Sequence, residues 1–321
     1  MNKKERVIAA IRHEAVDYVP CGFSLHFPHD KAFGEAGVKA HLDFFKETDT
    51  DIIKIMNENL FPSNPGVKTS EDFNRIGPFT RKSEFIVHQT DLVKAILDKT
   101  GGDSFSVCTI HGASFSFVHT MRPQYQALEE IRRVQVGLYR KNPQPYLDAK
   151  KRIAEGLSLL VQSVLEAGCD GIYYAALGAE KDMFTAEEFE VEEAPFDKLV
   201  MQTAKEMGKT VILHMCKKKL EMERYASYAP YVDVVNWGIY ENNISIEEGE
   251  RIFPGKTILG GLENRSGIIV DGSLEDIREE VHRLRREMKG KKFILGADCT
   301  LGSDLPVERI RTATEAARDS L

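Results

Sequence analysis

The stretch VILHMCKKK, Val211 to Lys219, ends a short apolar run with His214 and Cys216 two residues apart. Side chains two apart on a strand share a face, so both project to one side while Met215 packs on the other. A neutral imidazole and a thiolate are borderline-soft ligands that suit zinc, and Cys299, far along the chain, supplies a third donor of the same kind. Structural zinc sites normally use four protein ligands with paired short spacings. Three ligands from separated elements describe instead a catalytic site with an open position. The same residues also read as two buried thiols packed as small hydrophobes and a hydrogen-bonded core histidine. Spacing alone leaves both readings open.

The elements that must position these residues are visible as an alternation. Strand-like apolar runs fall near 18–26, 51–56, 104–110, 171–176, 210–216, 232–238, 257–262 and 292–297. Helical periodicity lies between them, as in 146–168, 197–208 and 274–290, each ending at or just before a glycine. Near-continuous apolar strands alternating with helices indicate a parallel sheet covered on both faces, and eight such units predict a single α/β domain over 1–321, a (β/α)₈ TIM barrel. An open doubly wound sheet is the rival, but no GxGxxG turn follows the first strand. An amphipathic helical extension precedes the barrel, and the Pro-, Asn- and Gly-rich segment from about 57 to 100 reads as an insertion after the second strand.

In a parallel barrel the carboxyl ends of the strands share one mouth. That places there His26 and His29, Asn57 and Asn59, His111, His214 and Cys216, Asn236 and Trp237, Glu263 and Asn264, and Asp298 and Cys299. His26, Asn57, His111 and Glu263 are candidate substrate-binding residues, each with an alternative as an ordinary rim or core group. Tyr173 and Tyr174 alternate on the fourth strand, so one of them faces the interior; Tyr174 is counted with the binding candidates.

Composition limits the functions open to the chain. With 43 basic and 50 acidic side chains the net charge is −7, which offers no global field for nucleic acid. The basic runs CKKK and RLRREMKGKK read as solvated helix faces or loops. No apolar run approaches a membrane span, and the basic start MNKKERVIAAIRHEAVD lacks a signal-peptide core, so a cytoplasmic location is expected. Five widely spaced cysteines argue against a disulfide framework and leave thiols for metal or redox chemistry.

The LHMC strand end, the GGLENRSG turn and the closing FILGADCTLGSDLPVERIRTATEAA resemble the uroporphyrinogen decarboxylase superfamily across nearly the whole chain. Within it, HxC followed by a distant cysteine near the last strand resembles the zinc-dependent methylcobamide methyltransferases, including the methylcobamide:coenzyme M enzymes. His214, Cys216 and Cys299 match that pattern. The resemblance implies Zn²⁺ on those three residues, with Glu263 or Asp298 as a fourth ligand at rest. It further implies methyl transfer between methylcobalamin and a thiol or other small acceptor. No DxHxxG signature occurs here, so the cobamide is expected on a separate corrinoid protein. The decarboxylases themselves use an amino-terminal arginine-rich loop, whereas this chain has no arginine between Arg12 and Arg75. Two alternatives remain: a metal-free lyase of the decarboxylase type, and a non-catalytic corrinoid-binding protein.

Overall fold

The computed structural model describes residues 1–64, 66–122 and 127–319. Eight parallel strands form one sheet: β1 (Cys21–Gly22), β2 (Ile52–Ile55), β3 (Phe105–His111), β4 (Gly171–Ala176), β5 (Thr210–Met215), β6 (Val234–Trp237), β7 (Thr257–Leu262) and β8 (Phe293–Ala297). Their order, β1-β8-β7-β6-β5-β4-β3-β2, curls the sheet into a nearly closed (β/α)₈ barrel. At the seam β1 and β2 make no ladder. Asp51 bridges them instead, its amide donating to the Cys21 carbonyl and its carboxylate accepting the Cys21 amide, both at 2.9 Å. This explains why the first strand, expected over 18–26, has only two residues: Pro20 has no N–H to give, and a side chain takes over the pairing.

The barrel interior is a packed core, as strand alternation requires. Ile52, Phe105, Val107, Tyr173, Ile212, Val234, Leu259 and Ile294 point inward, and the helix Lys3–Arg12 closes the amino end by adding Val7 and Ala10 to them. That helix is well started: Asn2 and Glu5 form a reciprocal capping box. The outward-facing residues of the strands join the surrounding helices in a second, larger apolar cluster. The three helical patterns read from the sequence end at Gly168, Gly208 and Gly290, all with positive φ, the conformation that stops a helix at least cost when the residue is glycine.

The insertion differs from expectation in extent. The irregular segment after β2 runs only to Ser83, and Glu84–Thr100 is a regular helix packed on the barrel. A larger excursion lies between β3 and β4, where the helices Ala113–Thr120 and Leu128–Lys141 precede the long helix Pro143–Glu166. Among the described residues, no helix is long and apolar enough to cross a membrane.

Candidate metal centre at the barrel mouth

One cavity of about 800 Å³ opens at the carboxyl end of the strands. Register brings its chemistry into one layer: His111 on β3 pairs with Ala175 on β4, Ala175 with His214 on β5, and His214 with Asn236 on β6. All four continue the inward parity of the core residues below them.

His214, Cys216 and Cys299 converge here, with their ligand atoms all within 4.8 Å of one another. His214 Nε2 is 3.3 Å from Cys299 Sγ. The tautomer of His214 follows from its neighbours. The Asn236 side-chain amide donates to the carbonyls of Leu259 (2.8 Å) and Ala297 (3.1 Å), which fixes its orientation. Its oxygen is therefore the acceptor for the Tyr173 hydroxyl at 2.7 Å and for His214 Nδ1 at 2.6 Å. Nδ1 must carry the proton, so Nε2 keeps its lone pair and faces the sulfurs.

The two thiols form a coupled pair. Cys299 is held well below the usual thiol range, first by the hydrogen bond from Cys216, while that same bond and burial push Cys216 well up. The donor types and spacing fit zinc, whose ordinary bond lengths give tetrahedral edges of about 3.6–3.8 Å for such ligands.

The remaining expected residues separate into two groups. His26 and His111 line the cavity with Asp298. His26 Nδ1 sits 3.0 Å from Glu58, and His111 Nε2 donates to the Asn57 carbonyl at 2.9 Å. Asp298 accepts from the Tyr240 amide through one oxygen and has no partner on the other; burial pushes its carboxyl up to about 7. Asn57, Asn59, His29 and Glu263 do not line it. Asn57 instead positions His111, and the Glu263 carboxylate accepts from Ser266. Of the two candidate fourth ligands, Asp298 alone faces the cavity. Trp237, also at a strand end, packs outward, its ring against Gly249 and its N–H on the Ile244 carbonyl.

Tyr174 is a correction. Strand parity turns it away from the barrel, and its hydroxyl is bound to Asp197 beneath the surrounding helices. Its neighbour Tyr173 is the inward tyrosine, stacked on His214 with ring centroids 5.5 Å apart. Sequence reasoning also passed over Lys54. This lysine is 7% exposed, lines the cavity, and lies with its ammonium 3.5 Å above the Tyr173 ring and 3.2 Å from the Thr300 hydroxyl. The signal was present as a lone lysine inside the apolar run DIIKIM, at inward parity with Ile52.

Residues 56–320 match the family model described as uroporphyrinogen decarboxylase (URO-D). Among solved structures, a methyltransferase from Methanosarcina mazei superposes with a TM-score of 0.73 at 15% identity, covering 99% of this chain and 98% of the other. A B12-independent methionine synthase from Shewanella sp. W3-18-1, in complex with selenomethionine, gives 0.60 at 13% identity over 95% and 97%. A putative vitamin-B12 independent methionine synthase from Listeria monocytogenes gives 0.55 at 14% identity over 87% and 84%. At these identities the likeness is one of fold. No curated protein sequence matches the chain.

Proposed function

The chain belongs to the uroporphyrinogen decarboxylase family, and on that footing we propose that it transfers a methyl group between a cobamide on a separate corrinoid protein and a thiol or similar small acceptor. Zinc is the metal of this reading, with His214, Cys216 and Cys299 as its ligands. The observation that carries it is the convergence of one imidazole nitrogen and two sulfurs in the wall of the mouth cavity. A bound zinc supplies Lewis acidity that brings an acceptor thiol to its thiolate near neutral pH.

The chain's own residues do the rest. Asn236 holds the His214 proton on Nδ1 and so presents Nε2 as a ligand. Tyr173 braces the imidazole from one side by stacking and through the shared Asn236 oxygen. Cys216 and Cys299 would hold the ion as thiolates, so that two sulfur charges offset a divalent cation. The packed interior below Tyr173 seals the amino end of the barrel, so acceptor and methyl donor both enter from the mouth. Ala175, between His111 and His214 in the same layer, keeps that approach open.

The test mixes the protein with methylcobalamin and, separately, coenzyme M, homocysteine, other thiols and tetrahydrofolate, with and without a native corrinoid protein. Loss of the methylcob(III)alamin bands only when enzyme and one acceptor are both present supports the reading. Unchanged bands with every acceptor, in the presence of the corrinoid protein, contradict it. A lyase of the decarboxylase type keeps full activity after chelation, which this reading forbids.

A further inference from the structure

Lys54 is a buried cation with no carboxylate partner; the negative groups that act on it are the Cys299 and Cys216 sulfurs. Its ammonium has three donors, and its partners are the Thr300 hydroxyl at 3.2 Å and the face of Tyr173 at 3.5 Å. Among the described residues it makes no ion pair. Four acidic residues share its cavity, Glu58, Glu241, Asp298 and Asp304, and none of them pairs with it: Glu58 meets His26, Glu241 meets Arg265, and Asp298 accepts from the Tyr240 amide through one oxygen. A ring face offsets only part of the cost of burying an ammonium.

Charge counting then says what is missing. A divalent cation on one neutral imidazole and two thiolates sums to zero, and Lys54 adds one positive charge beside it. Counted over the metal centre and Lys54 alone, one positive charge is left for an incoming anion to meet. We propose that Lys54 is the built-in counter-charge for a single anion at the open position of the His214, Cys216 and Cys299 centre, so that the cavity selects a thiolate over water or a neutral thiol. The inference rests on the ligand set proposed above. Lys54 acts at the next position out: it touches Tyr173, which is stacked on His214, and Thr300, which follows Cys299, and it biases the occupant by charge and not by coordination.

The experiment uses the cobalt(II)-loaded full chain, titrated with thiocyanate as a monoanion and with imidazole as a neutral ligand, and read by the cobalt ligand-field absorption. Lys54→Met should weaken thiocyanate on the order of tenfold or more, the loss of one nearby charge at intermediate dielectric. It should leave imidazole affinity and cobalt content within about twofold of wild type, since neither depends on that charge. Lys54→Arg should retain most of the anion affinity, and Lys54→Gln should repeat the effect of Lys54→Met, which separates lost charge from altered packing. A thiocyanate-to-imidazole ratio unchanged in Lys54→Met overturns the inference while leaving the ligand set standing. Wild-type protein that holds no cobalt overturns the ligand set, and the inference with it.

Discussion

Two regions of this molecule bury ionisable groups, and they solve the problem in opposite ways. Behind β4, the surrounding helices enclose Lys150 with Glu192 at 2.5 Å and Glu193 at 2.6 Å, and Arg132 with Glu180 at 3.3 Å. Asp197 accepts from Tyr174 and Tyr228, and Tyr146 donates to Glu192 at 2.9 Å. Each charge there meets an opposite charge or a pair of hydroxyls. At the mouth, Lys54 has no carboxylate, Asp298 keeps an unpartnered oxygen, and the Cys216 and Cys299 thiols are pushed in opposite directions by their mutual hydrogen bond. Burial of charge is common to both regions. What separates them is that the first sets its cations against carboxylates, although Glu192 Oε1 and Arg132 Nε there also lack partners, whereas the second leaves Lys54 without a carboxylate in the wall of the mouth cavity. Perturbed ionisation alone therefore does not locate a site; convergent donor groups beside an opening do.

The comparison can be broken most severely at the ligands. Cys216→Ala and Cys299→Ala should each abolish metal retention and turnover while thermal unfolding stays near wild type, because the core does not depend on the metal. Elemental analysis with a melting curve on the same sample checks both halves. The next largest effect belongs to the paired region. Lys150→Met leaves Glu192 and Glu193 without their cation and should cost about 3–5 kcal/mol in denaturant unfolding. Lys54→Met, by contrast, should leave stability unchanged or raise it by roughly 1 kcal/mol, because it removes a buried charge that had no carboxylate partner. Equal losses in the two variants would erase the distinction drawn here.

A smaller effect is expected at Asn236. Asn236→Ala frees the His214 tautomer and should weaken metal binding about 10- to 100-fold, the usual range for a residue that orients a ligand, measured by competition with a chromophoric chelator. The smallest is a pH dependence. Burial raises Glu192 and Glu193 to about 7 and Asp197 to about 6 in the folded chain. The folded state thus binds more protons than the unfolded one between the ordinary carboxylate range and neutrality. Their contribution to stability is full at low pH and is lost as pH rises through about 6 to 7. Glu192→Gln should flatten that fall by about 1 kcal/mol between pH 5 and pH 8, read from urea midpoints.

Much of this was legible in the sequence because both periodicities are local. Strand runs and glycine-terminated helices gave the barrel, and the two-residue spacing of His214 and Cys216 put them on one inner face. Cys299 could be placed with them because the eighth strand closes the same mouth. The losses were of two kinds. β1 shrank to two residues because Asp51, distant in sequence, supplies the seam pairing, which no local pattern encodes. Tyr174 was chosen over Tyr173 because parity on an all-apolar strand has no polar face to anchor it; the register with His214 decides it. Lys54 was legible after the fact, since a charged residue at inward parity in DIIKIM has no place in a packed core unless something faces it. The network around Lys150 unites residues from several separate helices, the strand β4 and the loops between them, and only the folded chain brings them together.

The central claim is that one imidazole and two cysteine sulfurs hold a zinc ion with an open position. X-ray absorption at the zinc edge of the purified wild-type chain tests it most directly. The account predicts about one zinc per chain, with two sulfur neighbours near 2.3 Å and one imidazole nitrogen near 2.0 Å, completed by one light atom. A chain that carries no zinc, or a shell of nitrogen and oxygen without sulfur, contradicts it.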